Sequence, residues 1–206
     1  MPAFKLFMNS NILVIGSSGT GKTSTVMRII KEKMIGPIMP KKIFYMYGAW
    51  QKMFDEWRQD KTLPEITFIA GINWDLVEKQ KGAKLLIVDD LILELDKKMT
   101  SHFLFGSSHH QTTTIFLTHS IYMNNDLYRL IFSNSNYLLI AKMKNKLSSV
   151  QRLSKSVLGS NHARLMEGYS YIKAYQFILL SFHPKVPEEL LVTCDIFSRC
   201  PSVFIS

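Results

Sequence analysis

The residues with the most chemistry to offer are Gly16-Ser17-Ser18-Gly19-Thr20-Gly21-Lys22-Thr23. Gly16 and Gly21 permit backbone conformations that a Cβ would obstruct, so successive N–H groups can turn inward around a phosphate. A helix beginning near Gly21 adds its free N–H groups and its N-terminal partial positive charge. Lys22 then carries a full positive charge to the β- and γ-phosphates, and the Thr23 hydroxyl can ligate Mg²⁺. The stretch expected to contact nucleotide runs from Gly16 to Ser24, with ATP and Mg²⁺ as the implied cofactors. A glycine-rich turn that binds nothing could share the pattern. It would not need the apolar strand before it and the amphipathic helix after it, and both are present here.

A phosphate loop needs an acid across from it, and Leu85-Leu86-Ile87-Val88-Asp89-Asp90 supplies one. An apolar strand ending in Asp delivers a carboxylate to the sheet edge where open α/β sheets hold their ligands. Asp89 is expected to hold Mg²⁺ directly or through water. Asp90 could orient and polarise an attacking water, which a hydrolase needs and a small-molecule kinase does not. A further strand, Ile115-Phe116-Leu117, ends at Thr118-His119-Ser120, where His119 could touch the γ-phosphate or the water and report nucleotide state. Upstream, Ser108-His109-His110-Gln111 is rich in histidine, but adjacent histidines diverge on a regular element and no cysteine or carboxylate is close in sequence. Arg129 and Arg152 could offset transition-state charge at a neighbouring subunit's γ-phosphate. Either could equally be a surface arginine or a DNA-phosphate contact.

Positioning these groups requires strands alternating with helices. Asn11–Ile15, Lys42–Met46, Ile66–Ala70, Lys84–Val88, Thr113–Thr118, Tyr137–Ala141 and Tyr175–Leu180 read as strands. Lys22–Met34, stopped by Gly36-Pro37, and segments near Trp50–Arg58 and Asn125–Phe132 read as helices. The pattern predicts one α/β domain over residues 1–206: a mostly parallel sheet with helices on both faces, completed at its edge by residues 175–206.

Composition narrows the partners. With 25 Lys and Arg against 16 Asp and Glu, the formal charge is +9. From Leu127 to Met166 there is no acidic residue, while Arg129, Lys142, Lys144, Lys146, Arg152, Lys155 and Arg164 fall there. Such a one-signed field attracts polyanions. A solvated basic surface without a partner is the bland alternative. The two cysteines, Cys194 and Cys200, fit neither a zinc pattern nor a disulfide framework and imply a reducing compartment. No apolar run is long enough to span a membrane.

The order of these motifs resembles the FtsK/HerA superfamily, and more closely its viral genome-packaging branch in poxviruses, other large DNA viruses and Polinton or adintovirus-type elements. The similarity runs through the phosphate loop, Asp89-Asp90, and Ser108 to His119, with His119 where relatives usually carry Gln. It continues through Arg129, Asn134, Tyr137 to Ile140, and Tyr175 to Pro184. This chain departs from the pattern at Met143-Lys144-Asn145-Lys146, and at Ser181, where relatives commonly carry Asp. The resemblance implies a RecA-like fold of the additional-strand, catalytic-acid type. It also implies an ATP-driven motor that moves double-stranded DNA into a capsid as a homo-oligomeric ring. Capsid or portal proteins would be its partners and a host nucleus or cytoplasm, or the virion, its location. Lys142, Lys144, Lys146, Arg152 and Lys155 are then candidate DNA contacts. A small-molecule kinase and a non-catalytic nucleotide- and DNA-binding capsid-associated protein are the alternatives.

Overall fold

The computed structural model describes residues 4–91, 94, 97, 98, 101, 111–122 and 125–205. In chain order the elements are β1 (Asn11–Ile15), α1 (Lys22–Lys31), β2 (Lys42–Tyr47), α2 (Lys52–Gln59), β3 (Ile66–Ala70), α3 (Trp74–Glu78) and β4 (Lys84–Asp89). There follow β5 (Thr112–Thr118), α4 (Asp126–Ser133), β6 (Tyr137–Ala141), α5 (Leu147–Leu158), α6 (His162–Tyr171), β7 (Phe177–Ser181), β8 (Val192–Cys194) and β9 (Ser202–Val203). The strands form one sheet in the order β3-β2-β4-β5-β1-β6-β7-β8-β9. Pairing is parallel from β3 through β6 and antiparallel from β6 to β9.

Every residue of β1, β4, β5, β6 and β7 is buried. Successive side chains of a strand point to opposite faces, so burial of all of them means that both faces are covered. This is why these strands are continuous apolar runs instead of alternating ones. The sheet is thus the mostly parallel one expected. β5 lies between β1 and β4, so the strand bearing the phosphate loop and the strand ending in Asp89 are separated by an additional strand that ends at Thr118, just before His119. No helix among the described residues is long and apolar enough to cross a membrane.

Several boundaries differ from expectation. Helix α1 ends at Lys31 instead of running to Met34, because Lys33 already has a left-handed backbone (φ 52°) and Gly36 lies beyond the helix. Tyr175 and Gln176 are not strand: Tyr175 has φ 63°, and the chain turns from Lys173 to Gln176 before β7 begins. The basic stretch contains two helices not foreseen. Along α5 the buried residues Val150, Leu153, Ser154 and Leu158 keep helical spacing, but the basic and serine residues between them dominate the composition. β8 and β9, of 3 and 2 residues, are too short to show any periodicity.

Candidate active site

The register Ile15↔Thr118 and Asp89↔Leu117 brings the ends of β1, β5 and β4 to one edge of the sheet. Gly16, His119 and Asp90 therefore leave that edge as neighbours, and Gly16 N donates to Thr118 O at 3.1 Å. Gly16 has no room for a side chain. A Cβ there would overlap Thr20 Oγ1 and lie 2.7 Å from Ala141 Cβ. Gly21 serves differently: it precedes α1 with φ 86°, a left-handed turn that aims the helix N-terminus at the loop. Behind the loop, the Thr20 hydroxyl donates to Ser17 O at 2.8 Å, which fixes its curvature. Ser18, Gly19, Thr23 and Ser24 line the open side.

Lys22 is only 6% exposed. Its ammonium donates to Gly16 O (2.9 Å), Ser17 O (3.4 Å) and His119 Nδ1 (2.9 Å). An ammonium can only donate, so Nδ1 must be the unprotonated ring nitrogen and Nε2 carries the hydrogen. That Nε2–H donates to Asp90 Oδ1 at 2.5 Å. His119 thus bridges the cation of the phosphate loop to the second acid. Burial lowers the Lys22 pKa, and the charges of Asp90 and Asp89 work against that shift.

The two adjacent acids have different surroundings. Asp89 is 2% exposed. Its Oδ2 accepts from the Tyr45 hydroxyl at 2.5 Å and the Thr23 hydroxyl at 3.3 Å. Burial holds its carboxyl above the usual carboxylate range, although the Tyr45 hydrogen bond opposes this. Burial, then the nearby Asp89 charge, pushes the Tyr45 phenol far above its ordinary value, so it remains a donor. Asp90 leaves the strand with φ 57°, and its side chain is 41% exposed. The left-handed backbone turns it out of the sheet to meet His119. Thr23 and Asp89 converge as two oxygen donors, a set that suits Mg²⁺. That ion accepts one or two protein oxygens and completes its shell with phosphate and water.

These groups form one end of a cleft of about 980 Å³. Its other end was not anticipated from sequence. It is built by Tyr175 and Gln176 ahead of β7, by Phe177 at its start, by Asp195 to Ser198 after β8, and by Arg28 on α1. Strand parity explains this: with β7 antiparallel and β8 running back, the loop before one and the loop after the other reach the same edge.

Other expected residues lie elsewhere. Lys142 is committed internally: its ammonium donates to Tyr169 O at 2.5 Å and sits 4.7 Å from the Tyr169 ring centre. Lys142 was expected among the DNA contacts, and here its ammonium faces the protein. Lys144, Lys146 and Lys155 are exposed. Arg152, also exposed, lies 5.7 Å from the Tyr122 ring centre. Arg129 is paired with Asp126 at 2.8 Å on the exposed face of α4, and does not line the cleft of its own chain. Ser108, His109 and His110 lie outside the described residues. Tyr45 was missed, although the sheet register puts it on the Asp89 side of β2, two residues below Tyr47, which pairs with Asp89.

No protein-family model and no curated protein matches the chain. Solved structures do resemble it. The genome packaging NTPase B204 of Sulfolobus turreted icosahedral virus 2, in complex with ATP-gammaS, superposes with a TM-score of 0.58 at 10% identity, covering 96% of this chain and 97% of that one. Its complex with AMPPCP gives 0.57 at 11% identity with the same coverage. Its complex with AMP gives 0.53 at 13%, covering 84% and 92%. At such identities the likeness establishes the fold, a RecA-like P-loop NTPase architecture spanning nearly the whole chain.

Proposed function

We propose that this chain is an ATPase whose hydrolysis drives double-stranded DNA into a capsid. The observation that carries the enzymatic part is the convergence of Lys22, Thr23, Asp89 and Asp90 at one end of a single cleft, with Asp90 turned out of the strand. The three hydrogen bonds of Lys22 are all made within the protein. Incoming phosphate oxygens would replace some of them, so binding exchanges one set of charge-assisted contacts for another. Losing Lys22 would free Nδ1 of His119, while Nε2 could still hold Asp90. Asp90 can then orient the attacking water and accept its proton. When bound through Thr23 and Asp89, Mg²⁺ would neutralise charge on the β- and γ-phosphates.

Two further observations support the motor reading: the fold shared with a genome packaging NTPase, and the exposed cations Lys144, Lys146, Arg152 and Lys155 in a stretch without acids. Contacts of that kind bind phosphate without reading sequence. The FtsK/HerA relationship, Mg²⁺ dependence, the ring and capsid or portal partners belong to the same proposal. In a ring, Arg129 or Arg152 would reach the neighbour's nucleotide.

Phosphate release measured with and without double-stranded DNA tests this. Hydrolysis should rise with DNA and fall steeply with salt. Lys22→Ala should lower it at least about 100-fold, as expected when a main electrostatic stabiliser is removed. Nucleotide and DNA binding without turnover would favour the non-catalytic alternative. Transfer of phosphate to a small acceptor would favour a kinase.

A further inference from the structure

The cleft end remote from Asp89 and Asp90 has its own construction. Tyr175 is 73% exposed yet held in a left-handed backbone (φ 63°), a conformation aromatic residues rarely adopt. Its ring lies over the phosphate loop, with Cδ1 3.6 Å from where a Cβ of Gly21 would be. On the same cleft, the Arg28 guanidinium stacks 4.1 Å from the centre of the Phe197 ring. The loops bearing Tyr175 and Phe197 are fastened together. Gln176 Oε1 accepts from Lys173 N at 2.6 Å, and Gln176 Nε2 donates to Asp195 Oδ1 at 3.3 Å. Asp195 also has a positive φ, 54°, and its carbonyl accepts from Ser198 N at 2.7 Å.

A solvent-facing aromatic ring kept in a disfavoured backbone is a poor choice for packing and a good one for stacking. Both ends of the Gln176 amide and Oδ1 of Asp195 are engaged with each other and with loop backbone, so they hold the walls instead of presenting an edge to read. We propose that the nucleotide base stacks here, on Tyr175 and the Arg28–Phe197 pair. The site then selects purines by their flat aromatic area, with little distinction between adenine and guanine. Gln176 acts as a positioning residue. This inference rests on the nucleotide-binding reading of the phosphate loop.

The test is binding of ATP, GTP, CTP and inorganic tripolyphosphate to the full chain with Mg²⁺, for the wild type, Tyr175→Ala and Tyr175→Phe. Tyr175→Ala should weaken ATP and GTP about 10-fold, towards the low end of what stacking one base on an aromatic ring contributes. Tripolyphosphate, which has no base, should be unaffected. Tyr175→Phe should retain wild-type affinity, and wild-type affinities for ATP and GTP should agree within about 5-fold, with CTP weaker. Tyr175 is exposed, so neither substitution removes a packed side chain, and a thermal melt of each variant checks the fold. Unchanged ATP affinity in Tyr175→Ala would overturn the proposal, as would equal losses for ATP and tripolyphosphate or a large preference for one purine. If the wild type bound neither ATP nor tripolyphosphate, the nucleotide reading itself would fall, and this inference with it.

Discussion

The two ends of the cleft are made in opposite ways. At the phosphate end the working groups follow directly from parallel strands β1, β5 and β4, and strand register fixes their separation. Lys22 and Asp89 are almost fully buried there, and burial shifts both towards their neutral forms. At the other end, antiparallel strands deliver only loops, Tyr175 stands in solvent, and one side-chain hydrogen bond between Gln176 and Asp195 ties the two loops together. Charge that must be stabilised at a fixed point calls for a rigid, preorganised frame. A flat base held by stacking tolerates a softer one.

This contrast can be broken experimentally. The largest effect is expected at Asp90. Asp90→Asn should reduce the single-turnover hydrolysis rate about 10²–10⁴-fold, as loss of a general base does, while nucleotide affinity stays within a few-fold. An effect on affinity alone would make the phosphate end a binding device and not a hydrolytic one. Next in size is Gln176→Ala, which should weaken ATP about 5-fold by releasing the two loops, consistent with a net of about 1 kcal/mol for one hydrogen bond. Hydrolysis at saturating ATP should be unchanged. A fall in the maximal rate instead would show that the soft end reaches the chemistry.

The smallest effect concerns stability. Asp89 has its pKa raised by folding, so the folded state is favoured at low pH, below the unfolded pKa, and that advantage is lost as pH rises through the folded value. Ionising this carboxyl in the folded state therefore costs stability. Asp89→Asn should raise Tm by a few degrees, read by calorimetry without nucleotide, while impairing Mg²⁺-dependent hydrolysis. An unchanged or lower Tm would mean that the phosphate end does not trade stability for function.

How much could be read in advance follows the same division. The strands β1, β4, β5 and β6 lie within a residue of where composition puts them, since a strand buried on both faces has little choice but an apolar run. The phosphate loop and Asp89-Asp90 were legible because each is a contiguous segment at a strand end. Tyr45 was not, because its link to Asp89 depends on which strand becomes the neighbour of β4. The partner of Lys142 was hidden for a related reason: charge patterning registers its sign, whereas α6, packed against β7 and β8, decides that its ammonium meets Tyr169. The base end left no signal beyond an ordinary apolar run, since Tyr175 and Phe197 approach α1 only through strands too short or too far along the chain to foresee.

The sequence by itself determined that Gly16 to Thr23 would curl into a tight loop ahead of a helix. The glycines, the helix start and Lys22 lie within one local turn, and local sterics suffice to shape it. Only the tertiary structure decided what that loop would face. Lys22 meets His119 across 97 residues of chain, and Gln176 meets Asp195 across 19. Contacts of that kind depend on strand order and direction, which the packing of the whole sheet selects and no single segment encodes.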